Sequence, residues 1–338
     1  MRDDREWIKK TIAHQPTGAV PYNFGFTPQP QAALLKHFGA ADIGEALELP
    51  MRKGGCNTIK PLYASPAKYG PTLADEFGVV WTTNEIDRGA PIGPSVREAD
   101  IAKLRFPDPK QEYRFEHFAR WCRKNREHFT VIWIGDLWER ATFMRGMEQL
   151  LLDVADNPKF VQALLRGLAD YVLGTMNILF QRFEFDCIAV SDDYGTQHGL
   201  IISPADWRKL VKPLLAEIYG LAKKNGRYVF HHTCGHVVPI VRDMIDIGLD
   251  ILHPIQPETM DIYELKKQFG RDVSFCGGLN TQQLLPRGSP QQVRDEVKRL
   301  KDRMGAGGGF ILEPGITVQA DCPLENILAM IDEAKRAD

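Results

Sequence analysis

From residue 130 onward, short apolar runs alternate with longer amphipathic stretches, and this alternation constrains the fold more than anything else in the 338 residues. Candidate strands lie at 19–26, 130–134, 187–191, 227–231, 250–252, 273–276 and 309–312. Each is short, rich in Val, Ile or aromatic residues, and followed by a polar or glycine-containing segment. Helical patterns fill the gaps at 158–182, 204–224, 237–247, 262–269, 290–304 and 323–335, and Ser203 ahead of Pro204 has the chemistry of an N-cap. Strands separated by helices imply βαβ units and a parallel sheet. Seven strands are plain, and an eighth is expected at 57–62 or 79–82. The count and length indicate one α/β domain over residues 1–338, a single (β/α)8 TIM barrel. Residues 54–109, rich in Gly and Pro, break the alternation and read as an irregular insertion capping the barrel mouth.

A formal net charge of −2, with no basic stripe, excludes nucleic acid or an anionic membrane as an expected partner. The N-terminus alternates charges and lacks the apolar centre of a signal peptide. No run in the sequence approaches the roughly 20 apolar residues of a membrane span. A cytoplasmic location is expected. The six cysteines (Cys56, Cys122, Cys187, Cys234, Cys276 and Cys322) are scattered, which suits reduced thiols rather than a disulfide scaffold.

Active sites of such barrels sit at the C-terminal ends of the strands. Those ends carry Asn23, Asp192-Asp193 with Gln197, His231-His232-Thr233-Cys234-Gly235, His253 with Gln256, Gly277-Gly278, and Glu313. His232-x-Cys234 stands out, because a strand with a side-chain period of two turns both groups to one side and His231 to the other. Imidazole and thiolate suit zinc with three protein ligands and an open position. The third ligand is open among Cys322, Cys276, Glu313 and Asp193. Asp192 and Asp193 fit acid–base work, or else the capping of a following segment or a salt bridge to Arg140. Asn23, Gln197 and Gln256 fit substrate hydrogen bonding, and Gly277-Gly278 a close backbone approach to a ligand. Gly305–Gly309 follows a helix, the wrong order for a phosphate loop, and is a turn.

The His-x-Cys-Gly pairing, the Gly-Gly after a late strand and the terminal Pro-Leu-Glu-Asn at 323–326 resemble the uroporphyrinogen decarboxylase superfamily over essentially the whole chain. That resemblance implies one of two chemistries. The decarboxylase branch removes carboxyl groups from a porphyrinogen without a cofactor and carries an Arg-Gln-Ala-Gly-Arg segment early in the chain. Here residues 16–31 contain no Arg or Lys, so the substrate's many carboxylates would lack guanidinium partners. The methyltransferase branch uses zinc, held by a His-x-Cys pair and a later cysteine, to move methyl groups to or from a corrinoid on a partner protein. His232 and Cys234 match it, but Ile316 stands where the later cysteine falls, leaving Cys322 or Glu313 to substitute. The resemblance thus implies a zinc-assisted methyltransferase acting on a small molecule with a corrinoid protein as partner. Asp192 or Asp193 would handle protons, Asn23 and Gln256 would position substrate, and a homodimer is in keeping with the superfamily. A cofactor-free decarboxylase using Asp193 as acid, and a non-catalytic small-molecule-binding barrel, are the alternatives.

Overall fold

The strand-forming runs assemble as a curled parallel sheet in a computed structural model that describes residues 3–336. Its strands are β1 (Met51–Gly55), β2 (Thr72–Ala74), β3 (Val80–Thr82), β4 (Pro91–Gly93), β5 (Phe129–Gly135), β6 (Cys187–Ser191), β7 (Tyr228–His232), β8 (Ile251–Ile255), β9 (Ser274–Leu279) and β10 (Phe310–Pro314). Seven of them form one sheet in the order β1-β5-β6-β7-β8-β9-β10, all parallel. Helices return the chain from each strand of the second half to the next. This is the curled α/β architecture of a TIM-like barrel.

The expected first strand, 19–26, runs parallel beside β10 but makes only two isolated bridges, Tyr22 to Leu312 and Phe26 to Val318. Pro21 has no N–H to give a ladder; its carbonyl accepts from Leu312 instead. The Tyr22 hydroxyl reaches the carbonyls of Leu47 and Glu48 just ahead of β1. Residues 20–26 therefore lie between the two edges of the sheet.

The eighth strand is neither of the expected segments. It is β1, Met-Arg-Lys-Gly-Gly, whose charges and glycines carry no strand signature. Residues 57–62 form no strand, and Val80–Thr82 lies in a separate three-stranded antiparallel sheet with β2 and β4. The supposed insertion also begins late, since Gly54 and Gly55 belong to β1 and pair with Ile132 and Trp133. The rest of the segment reaches the end of β5, where Arg140 donates to Asp75 and Arg88 to Glu139. The helix expected over 204–224 breaks at Val211 into Pro204–Leu210 and Lys212–Lys224. Pro213 cannot donate back into the preceding turn, which accounts for the break.

Two apolar layers result. Alternate residues of the strands (Met51, Phe129, Val131, Cys187, Ala189, Phe230, Ile251, Cys276 and Ile311) fill the barrel interior, closed at the N-terminal end by Ile8 and Ile12 of the first helix. The opposite faces of the strands pack against the helices in a second, larger core. The helix Pro158–Arg182 is long and apolar enough to cross a membrane by length and composition. Its Leu164, Leu165, Leu168, Val172, Met176 and Leu179 are buried in the helix layer. On its outer face Arg166 pairs with Asp170 and Glu217.

Candidate functional site

Toward the C-terminal ends of the strands the barrel interior changes from apolar to polar. One residue period beyond the apolar layer stand Lys53 (β1), Trp133 (β5), His232 (β7), His253 (β8) and Glu313 (β10). The Phe230 ring forms the floor under them, 4.8 Å from the His253 ring and 5.3 Å from Lys53 Nζ. Parallel registry puts His232 level with His253, and strand alternation turns His231 the other way. His231 is fully buried against the helices, with Nδ1 2.7 Å from the Tyr219 hydroxyl. Burial pushes its pKa down to about 3, so it stays neutral.

At the mouth, Asp193, His232 and Cys234 bring a carboxylate oxygen, an imidazole nitrogen and a sulfur within 4.8 Å of one another. His232 Nε2 lies 3.4 Å from Cys234 Sγ and 3.4 Å from Asp193 Oδ1. A tetrahedral zinc with bonds of about 2.0–2.3 Å has ligand–ligand edges of roughly 3.3–3.6 Å, so the donor set and its spacing fit that metal. All three groups are partly exposed, as a site with an open fourth position requires. Burial works to raise the Asp193 carboxyl, yet the His232 imidazole beside it, with help from the Cys234 backbone N–H, brings it below its usual range. The Cys234 thiol is pushed up, first by burial and then by Asp193. Backbone geometry fixes the trio: the Cys234 N–H donates to Asp193 Oδ1 (2.8 Å), and the Gly195 N–H donates to the Cys234 carbonyl (3.1 Å). The two loops cross so closely that a Cβ on Gly235 would lie 2.3 Å from the Gly195 carbonyl carbon.

Below the mouth is a second group, His253, Cys276 and Glu313, all buried. Glu313 accepts from Lys53 Nζ at 2.8 and 3.0 Å, from Cys276 Sγ at 3.0 Å and from Asn23 Nδ2 at 3.4 Å. The Lys53 ammonium already balances that carboxylate, so a cation held here would be repelled. The two groups meet through His232 Nδ1 and His253 Nδ1, 2.9 Å apart. Burial, then Lys53 and His232, hold the His253 pKa well below the usual imidazole value.

Other residues singled out in the sequence take different places. Asp192 is fully buried, and its carboxylate accepts from the backbone N–H groups of Trp138 and Glu139 and from the Tyr194 hydroxyl. It caps the helix Trp138–Arg145, not the segment that follows it, and does not open to the cavity. Burial raises it to about 7 despite these bonds. Arg140 pairs with Asp75 and Asp136 rather than with either member of the Asp192-Asp193 pair. Glu313 belongs to the inner group, not the mouth. Cys322 joins neither donor group; it packs in the outer core with its thiol toward Asp321. Ile316 is exposed. Gln256 ties loops together, accepting from the Gly235 N–H and donating to the Gly315 carbonyl. Gln197 is exposed on its loop. Gly277 and Gly278 lie inside β9 rather than after it; a Cβ on Gly277 would meet the Ile255 backbone N at 2.7 Å, so that glycine serves strand packing. Asn23 is buried with Oδ1 unpartnered. Sequence reasoning missed Lys53 and Trp133. Lys53 had one faint signal, its position two residues after the interior-facing Met51.

Glu139, at the start of the helix that Asp192 caps, is raised to about 7, first by burial and then by Asp136 and Asp193. A carboxyl with a raised folded pKa holds its proton more tightly when folded. Its contribution is therefore fully present below the unfolded value, 4.5, and is lost as the pH rises through about 7. Over that window, wild-type unfolding free energy is expected to fall relative to Glu139→Gln by up to about 3 kcal/mol. Denaturant titrations at several pH values measure this, and parallel pH curves for the two proteins would refute it.

Comparisons with known proteins agree with this architecture. The protein-family model described as uroporphyrinogen decarboxylase (URO-D) matches residues 72–337. Curated relatives include uroporphyrinogen decarboxylase of Pseudoalteromonas atlantica, 27% identical over 256 residues covering 71% of this chain and 68% of the relative. Another is that of Methylococcus capsulatus, 26% identical, covering 69% of this chain and 67% of the relative. Among solved structures, a methyltransferase from Methanosarcina mazei superposes with a TM-score of 0.72 at 16% identity, covering 99% of this chain and 98% of that one. That likeness shows the fold, and the match over residues 72–337 establishes that this chain belongs to the uroporphyrinogen decarboxylase family.

Proposed function

We propose that this protein is a methyltransferase that moves a methyl group between a corrinoid carried by a partner protein and a small thiol or methylated substrate, assisted by zinc. The observation that carries the reading is the trio Asp193, His232 and Cys234, with its two 3.4 Å spacings at an open barrel mouth. Asp193 supplies the third ligand that the sequence left open. A bound zinc would contribute Lewis acidity, letting a thiol surrender its proton near neutral pH. The residues do the rest. Asp193 fixes the Cys234 backbone, Glu139 has a pKa of about 7 suited to receiving a proton, and Trp133 flanks the cavity with its ring 6.1 Å from that of His232.

A carboxy-lyase is the second reading, favoured by the names of the curated relatives. It needs cations free to receive substrate carboxylates. Lys53, Arg88, Arg114 and Arg140 are instead paired with Glu313, Glu139, Glu76 and Asp75, respectively. Metal analysis and a chelator test separate the two. The methyltransferase reading expects about one zinc per chain and methyl transfer from methylcobalamin to small thiols that stops on chelation and returns with zinc. Zinc-free protein whose activity on porphyrinogen carboxylates survives chelators would establish the lyase instead.

A further inference from the structure

The inner group bears on the mouth through the placement of protons. His232 Nδ1 and His253 Nδ1 are 2.9 Å apart, so one must donate and the other accept. His253 is enclosed in the barrel, and Glu313, the carboxylate beside it, is already balanced by the Lys53 ammonium, so a second cation there would lack a counter-charge and the imidazole carries a single proton. Its other nitrogen, Nε2, lies 3.7 Å from Glu313 Oε2. A carboxylate paired with an ammonium only accepts. A lone pair on His253 Nε2 would face those oxygens unfavourably, whereas an N–H there is attracted to them. The proton therefore sits on Nε2, His253 Nδ1 accepts, and His232 donates from its Nδ1. His232 Nε2 is left as a bare lone pair, directed at Cys234 and Asp193. Asp193 is the competitor, drawing a proton toward Nε2. Its contact is the shorter, 3.4 Å against the 3.7 Å between His253 and Glu313, but Asp193 is partly exposed and screened by solvent, whereas Glu313 and His253 act on each other inside the barrel, where charge is screened least.

We propose that Glu313 and His253 form a relay that fixes the tautomer of His232, presenting its Nε2 as a metal ligand, with Lys53, Cys276 and Asn23 holding Glu313 in place. Both are positioning residues, since they act on the mouth through the Nδ1 of His232. This explains why a carboxylate, a thiol and an imidazole are buried together with a half-buried ammonium against them. Such outer partners of a metal-ligating histidine set its ring orientation and basicity. The inference rests on the reading of His232 as a ligand, but its central claim can be measured without metal.

The test uses the full chain, metal-free and labelled with nitrogen-15 histidine, at a pH well above the usual imidazole range. Wild type is expected to show His232 protonated on Nδ1 and bare on Nε2. In Glu313→Gln the carboxamide oxygen faces Lys53 and its NH2 faces His253, so the proton on His253 moves to Nδ1 and the His232 tautomer reverses. Zinc affinity, read by competition with a chromophoric chelator, is expected to fall about 10–100-fold in Glu313→Gln and in His253→Leu. His253→Gln, which keeps an acceptor for the His232 Nδ1–H, retains most of it. Glu313→Gln changes no volume, so the tautomer reading does not depend on the leucine variant folding. An Nε2–H His232 in the wild-type chain overturns the relay. So does unchanged zinc affinity in both Glu313→Gln and His253→Leu, an outcome that leaves the methyltransferase reading intact. The expected tautomer in a chain that takes up no zinc supports the relay and removes the methyltransferase reading instead.

Discussion

Replacing Cys234 with serine is expected to abolish stoichiometric zinc binding and to lower methyl transfer from methylcobalamin to thiols by roughly 10²–10³-fold. That range corresponds to losing the several kcal/mol of charge stabilisation a metal centre supplies. A serine hydroxyl is a much poorer zinc ligand than a thiolate, while the change in volume is small. The folded state should tolerate the substitution, because Cys234 is partly exposed and its loop is anchored through backbone groups to Asp193 and Gly195. The expected signature is thus lost metal and lost activity at nearly unchanged melting temperature. A serine variant with full zinc content would remove Cys234 from the centre and, with it, the proposed chemistry.

The second large effect concerns stability. Asp192→Ala is expected to destabilise the protein by about 3–5 kcal/mol, because it leaves two backbone N–H groups and the Tyr194 hydroxyl without an acceptor in a fully buried place. Among the described residues Asp192 is the only side chain bonded to the Trp138 and Glu139 amides, and the helix Trp138–Arg145 that they begin carries Glu139 and Arg140. Chemical denaturation distinguishes this from direct catalysis. An alanine variant with wild-type stability but no turnover would return Asp192 to the role of acid or base that its place at a strand end suggested.

The contrast between Asp192 and Asp193 shows what a sequence can and cannot convey. Both acids lie at the end of β6, and their adjacency marked the spot correctly. Which of them opens to the cavity depends on the direction of each side chain past the strand end, where the regular alternation stops. The His232-x-Cys234 pair could be oriented in advance because half of it lies within a strand, where the period of two holds. The β7-to-β10 half of the barrel was legible for the same reason, since its strands are apolar and end in turns. β1 was not, because Lys53 and its neighbours are selected for what they meet inside the barrel rather than for strand propensity. The third mouth ligand was hidden as well: proximity between Asp193 and His232 arises from the pairing of β6 with β7, which no spacing along the chain encodes.

β1 and β10 are the two edges of the seven-stranded sheet, and no ladder joins them among the described residues. What spans the gap is the segment 20–26, bridged to β10, together with the Lys53–Glu313 ion pair and Asn23 alongside it. Around most of its circumference the barrel is hooped by backbone ladders; at this one stave two isolated bridges remain and side chains complete the buckle. The buckle is also the far end of the contact chain through His253 to His232, so neutralising or displacing the Glu313 carboxylate is expected to loosen both at once. If the proposed relay holds, the carboxylate that helps close the barrel is also the one that readies its mouth.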